Sequence, residues 1–222
     1  MALVLGAIFF FGGPQVVKMI QNRTVVGPNE KPDAAGVVRT NPNTLLAETN
    51  ALLAGKGLPA LTMNEYALAR ALRSEHGSSS ATIRTWVAWA IKNSVKAGSN
   101  VFEKLTKSAS MTSSGLFATQ ISDLRYASTA QGPTMDDIEI ARNVLRSGIQ
   151  SDPTRGATNF FSPRLQDSLY AKAQAGVAQY ASIKKDAAGI IAKWVSGGLS
   201  VRGAPSDAMP GEVIFLGPAR MA

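Results

Sequence analysis

The chain contains no cysteine and a single histidine, His76, among 222 residues. Those two scarcities exclude more chemistry than any residue present suggests. A structural zinc site takes four Cys or His ligands, and a catalytic one usually three ligands including His. Neither set can be assembled here without an all-carboxylate arrangement, so zinc amidases and zinc peptidases are disfavoured and no metal or other cofactor is expected. A Cys–His nucleophile is impossible, and a Ser–His–Asp triad would have to use His76. No strand–turn–helix serine motif accompanies it, so His76 reads as a capping or loop residue. The missing thiols leave the redox compartment open. Acidic residues are also few, 15 against 23 Lys and Arg, for a formal charge of +8. A basic balance attracts anionic polymers without choosing among them. The charges are scattered rather than clustered, and no basic-aromatic groove pattern is present, so no specific nucleic acid is expected as partner.

Long apolar runs are scarce as well. Residues 2–13 form an uncharged apolar stretch, shorter than the roughly 20 residues that span a bilayer. Extension to Ile20 reaches that length but takes in Gln15 and Lys18. A secretory signal would place positive charge before the apolar stretch and a small-residue cleavage site after it, whereas here the first positive charge is Lys18. Segment 1–20 is thus open to four readings: a membrane contact, an atypical export signal, an arm packed on another protein, or a buried element of its own domain. Residues 21–43 are rich in Pro, Gly and Asn and read as a linker. Residues 44–195 read as the main domain, and the Gly/Pro-rich 196–222 as a tail with one candidate strand, Glu212–Leu216.

The remaining pattern is helical. A helix is expected over Thr44–Ala54, closed by Gly55-Lys56-Gly57. Thr62-Met63-Asn64-Glu65 fits a capping box, opening a helix to Glu75 that Gly77 is placed to end. The next helix starts among Ser78–Ser80 and carries Ile83, Trp86, Val87, Ala90, Ile91 and Val95 at helical spacing. Residues 108–133 read as polar loops with a candidate hairpin. Thr134-Met135-Asp136-Asp137 opens a helix whose first-turn acids suit the helix dipole. Asp152–Gly156 is a turn, Ala157–Phe161 is extended, and Ser162-Pro163 starts a long helix, in pieces, to about Val195. The class is mainly α.

Leu68, Ala71, Leu72 and Glu75 share one stripe of the second helix. Glu75 therefore falls at the helix's C-terminal end, on the edge of its apolar face. Desolvation and the negative end of the helix dipole both oppose ionisation there. A carboxyl kept protonated near neutral pH is what a general acid requires. The competing reading is a surface glutamate beyond a helix that ends early. Asp136 and Asp137 are explained as first-turn acids and Asp152 as a turn residue, which leaves Asp123 as a second candidate carboxylate. Trp86 and Trp89 read chiefly as core. Tyr126, Phe160 and Phe161 lie in segments where sugar stacking and local packing are both open.

Two segments carry a family resemblance. Leu68-Ala69-Arg70-Ala71-Leu72-Arg73-Ser74-Glu75-His76-Gly77, followed by Trp86-Val87-Ala88-Trp89-Ala90-Ile91-Lys92-Asn93-Ser94, resembles the opening of bacterial and phage cell-wall hydrolases of the spore-cortex-lytic type. Asp152-Pro153-Thr154-Arg155-Gly156-Ala157-Thr158-Asn159-Phe160-Phe161-Ser162-Pro163 is similar to their DPTxGAxxFxxP segment. The resemblance covers about half the chain, residues 62–165, and the intervening Leu124–Ser128 departs from the family's pattern. It implies a lysozyme-like helical domain, with a small loop or hairpin region lining a glycan cleft. It maps the catalytic glutamate onto Glu75 and places Tyr126, Ser128, Thr129, Gln131, Asn159 and Phe160 near substrate. The implied substrate is the peptidoglycan glycan strand. The implied chemistry is that of a lytic transglycosylase or muramidase with one glutamate as acid and base, in the bacterial envelope or periplasm or in a phage virion. A different class stays open beside it: a structural or assembly protein of a virion or envelope complex that keeps the fold with little activity.

Overall fold

The computed structural model of the chain describes residues 37–39, 41–76, 79–107, 116, 118–121 and 132–219. Segment 1–20, Asp123, Tyr126, Ser128, Thr129 and Gln131 lie outside the described residues, as does the side chain of His76. The described residues are mainly α, with seven α-helices and five short strands. No helix among them is long and apolar enough to cross a membrane. The chain divides into two compact units, one of residues 1–79 and 95–146, the other of 80–94 and 147–222.

In the first unit, β1 (Val37–Arg39) pairs antiparallel with β2 (Ala118–Ile121), Val37 opposite Ile121 and Val38 opposite Gln120. The segment read as a linker therefore contains a strand, whose partner is some 80 residues away and so invisible to local composition. β2 lies in the stretch expected to hold a hairpin, but its partner is β1. Helix α1 (Pro42–Ala54) starts two residues before the expected boundary: Asn41 caps it by accepting from Asn43 N, and Pro42 takes the first helical position, where its missing N–H costs nothing. Asn50 then clamps the following turn, donating to Leu61 O at 3.1 Å and accepting from Leu61 N at 2.7 Å.

The capping box of α2 (Met63–His76) forms as its residues dictate. Thr62 N donates to Glu65 Oε2 at 2.8 Å, and Glu65 N donates to Thr62 Oγ1 at 3.2 Å. Helix α5 (Met135–Arg146) begins with the same reciprocal pair, Thr134 with Asp137. Between them lies α4 (Val101–Lys107), whose Phe102 N donates to Asn64 Oδ1 of α2. α1, α4 and α5 all pack on α2. One consequence departs from the sequence reading. α2 buries not a stripe but its whole circumference from Tyr66 to Leu72, Arg70 included. The guanidinium is tolerated because it donates to Leu116 O and to the Tyr66 hydroxyl at 3.1 Å.

The second unit opens with α3 (Ala81–Asn93), capped by Ser80, whose Oγ accepts from Ile83 N. β3 (Asn159–Phe161) follows the Asp152 turn. The long helix expected after Ser162-Pro163 is indeed in pieces, α6 (Pro163–Gln174) and α7 (Ala187–Ser196), separated at Gly176 with φ +78° and a short 3-10 turn. Residues 196–222, read as a tail, instead supply β4 (Leu199–Gly203) and β5 (Ile214–Pro218), which join β3 in an antiparallel sheet of order β3-β5-β4. Val213, Phe215 and Leu216 are at most 1% exposed, so this segment is core. Composition misleads because its Gly and Pro punctuate the strands rather than replace them.

Glycine matters most at Gly217. A Cβ built there would stand 2.4 Å from Gly156 O and 3.1 Å from both Ala157 Cα and Arg202 Nε. Two of these contacts are backbone, which cannot swing aside. Gly217→Ala is expected to destabilise the chain by about 1–3 kcal/mol, the usual cost of overpacking. Equilibrium urea unfolding measures it, and an unchanged midpoint would show that β5 and the turn can separate without loss.

Candidate functional site

The first chemical feature sits at the end of α2. Glu75 is 9% exposed, and its Oε2 is buried with no hydrogen-bond partner among the described residues. Leu68, Ala71 and Leu72, the stripe leading to it, are fully buried. Burial pushes the Glu75 carboxyl up from 4.5 to about 8, because an ion loses its hydration there and gains no donor in return. An unpaired buried polar atom costs about 1–3 kcal/mol. Folded chains rarely keep one without a use for it. What the group can do chemically is clear: at neutral pH it carries a proton and can give it away, and once ionised it is a base in a dry setting.

Asp137 is fully buried within its capping box, and Asp136 is exposed on the first turn of α5. Glu65 is paired with Arg146 at 3.0 Å. No group of three or more His, Asp or Glu placed to hold a metal ion occurs among the described residues.

The second feature is the turn after residue 151. Asp152 Oδ1 accepts from Thr154 N at 2.8 Å and from Thr154 Oγ1 at 2.6 Å. Its Oδ2 accepts from Gly156 N at 2.8 Å and, from 59 residues away, from Asn93 Nδ2 at 2.8 Å. Asn93 closes the circuit by donating to Ala157 O at 3.1 Å, while Thr154 Oγ1 accepts from Ala157 N at 3.1 Å. Thr154 has no exposed surface. Partial burial alone would raise the Asp152 carboxyl, but these four donors outweigh it and hold the group below its usual 3.8. Arg155 and Gly156 complete the turn with φ of +56° and +80°, a geometry that Gly156 adopts without strain. The Asp-Pro-Thr segment is therefore a clip that ties the C-terminus of α3 to the start of β3.

That clip positions Asn159 and Phe160. Asn159 lies opposite Leu216 in the β3–β5 ladder, and its Oδ1 accepts from Thr158 Oγ1 at 2.9 Å. Phe160 is half-buried, its ring 6.0 Å from that of Phe215. Phe161 is buried and meets Trp194 edge-on at 5.2 Å, so its role is packing. Glu75 belongs to the first unit, and Asn159 and Phe160 to the second. Trp89, 2% exposed with Lys92 Nζ 4.5 Å above its ring, is core as expected. Trp86 is only half-buried. The pairing of Asn93 with Asp152 was beyond sequence reasoning: each residue stood out within its own segment, and no local signal links them. Compared with protein-family models, curated proteins and solved structures, the chain matches none.

Proposed function

We propose that the protein cleaves the glycan strand of peptidoglycan, with Glu75 as its lone acid and base on a lysozyme-like helical scaffold. The observation that carries this reading is the buried Glu75 carboxyl, unpaired at Oε2 and protonated at neutral pH. Supporting it are the resemblance of the two segments around Glu75 and Asp152 to cell-wall hydrolases and the clip that makes the second segment a unit.

In this mechanism Glu75 donates its proton to the glycosidic oxygen as the bond to the anomeric carbon breaks. The resulting carboxylate then accepts a proton from the acceptor hydroxyl. If that hydroxyl is the sugar's own 6-OH, the product carries a 1,6-anhydro end; if it is water, the product is a reducing end. Most glycosidases place two carboxylates about the bond. A single-glutamate route needs no second one, because the substrate's N-acetyl oxygen can stabilise the oxocarbenium-like centre.

Glu75→Gln preserves shape and removes the transferable proton. It is expected to lower clearance of a purified peptidoglycan suspension by at least about 100-fold, the low end of a general acid's contribution. Clearance at the wild-type rate would remove Glu75 from the mechanism. Mass spectrometry of the muropeptides that the wild-type chain releases separates the two acceptors, since only the transglycosylase leaves anhydro ends.

A further inference from the structure

Among the large apolar side chains of α3, one is left wet. Ile83, Val87, Trp89 and Ile91 are at most 7% exposed, whereas Trp86 in their midst is half-buried. Its ring meets Phe215 edge-on, with centroids 5.2 Å apart and planes at 62°. Phe215 itself has no exposed surface. Phe160 sits directly opposite Phe215 in the β3–β5 register and is half-buried in turn. Phe215 is thus a floor shared by two rings, all three within the second unit.

Leaving aromatic surface in water forgoes roughly 25 cal/mol for each Å². The area also limits what can cover the patch. A whole aromatic side chain offers about 150–250 Å², and a stable protein partner needs about 800 Å² on each side. Two half-buried rings fall far short of that and match a small ring-shaped ligand. Such ligands dock on apolar and aromatic walls with few polar contacts.

We propose that Trp86, flanked by Phe160, is a stacking platform for a pyranose ring of an N-acetylated glycan. The choice of a sugar rests on the reading of Glu75 as a glycan-cleaving acid; the platform itself rests on the rings. A pyranose presents an uncharged face of C–H groups, which an aromatic face accepts without desolvating an ion. A nucleobase would also stack, and the test includes one.

The probe is the N-acetylglucosamine tetramer, titrated into the full chain with tryptophan fluorescence as readout. Wild type is expected to show a saturable change that Trp86→Leu abolishes, because Trp89 and Trp194 are not part of the platform. Trp86→Leu should also weaken co-sedimentation of the chain with insoluble peptidoglycan about tenfold in apparent Kd, a loss of about 1.4 kcal/mol in binding. Phe160→Leu keeps the reporter tryptophan and should weaken the titration about threefold, so the idea is testable even if Trp86→Leu folds poorly. An unchanged titration in both variants, no response in wild type, or a response to oligothymidylate in place of the sugar would overturn the platform. Its failure is separable from that of the cleavage reading. An active Glu75→Gln chain beside a Trp86→Leu chain blind to the tetramer leaves a sugar-binding platform without that catalyst. The reverse pair of results leaves the catalyst without the platform.

Discussion

Glu75→Gln is expected to make the folded chain more stable at neutral pH by about 3 kcal/mol while it removes the transferable proton. The sign follows from where the proton sits. Glu75 titrates near 4.5 when unfolded and about 8 when folded. Below 4.5 both states are protonated, and ionisation takes nothing from stability. Between 4.5 and 8 the unfolded carboxyl has released its proton and the folded one has not, so each pH unit removes about 1.4 kcal/mol. Above 8 the folded group ionises too, and the loss levels off at about 5 kcal/mol. Glutamine does not titrate, so the variant should escape this slope. Urea unfolding at intervals from pH 4 to pH 9 reads the difference directly: the two curves should coincide at the acid end and diverge as pH rises. Parallel curves across the whole range would show that Glu75 is not held protonated by the fold. Wild-type clearance should stay level up to about pH 8 and fall beyond it as the acid form is lost.

Asp152→Ala should have the opposite effect on stability and a comparable size, a loss of about 3–5 kcal/mol. The substitution leaves the Asn93 amide, the Thr154 hydroxyl and the N–H groups of Thr154 and Gly156 without their acceptor. Each orphan costs about 1–3 kcal/mol where water cannot reach it, and donors sharing one acceptor do not add in full. Asp152→Asn keeps the size and one oxygen, and should cost about half as much. The pH dependence is again signed. A carboxyl held below 3.8 in the folded chain gives its full contribution above that value and loses it as pH falls through the lower, folded one. Wild type should therefore weaken at strongly acid pH through Asp152, and Asp152→Asn should lack that limb. Amide hydrogen exchange locates the damage: residues 157–161 should lose protection in Asp152→Ala before α5 does. Equal protection in the two chains would mean that β3 is held by β5 alone.

How much of this was legible in the sequence depended on the range of the interaction. The helix starts at Thr62 and Thr134 were readable because a capping pair spans three residues and needs no other part of the chain. Ser162-Pro163 was readable for the same reason. β1 and β4 were not. Each is a few residues long, and a strand is stabilised by a partner that lies far away in sequence. The tail reading of 196–222 failed because Gly and Pro content reports turns and is silent on what lies between them. The all-round burial of α2 from Tyr66 to Leu72 was hidden too, since Arg70 looks like a solvent-facing charge until Leu116 O and the Tyr66 hydroxyl are placed beside it.

By itself the sequence determined which chemistries were unavailable: with no cysteine and one histidine, thiol catalysis and ordinary zinc sites have no ligands to use. It also determined the local helix punctuation and put Glu75 at the end of an apolar stripe. Only the tertiary structure decided that Glu75 keeps its proton, because desolvation depends on atoms brought near from elsewhere in the chain. Only it joined Asn93 to Asp152 across 59 residues and stood Trp86 and Phe160 on Phe215. A hydrogen bond or a ring contact between distant residues leaves no trace in local composition; it exists once the chain has closed on itself.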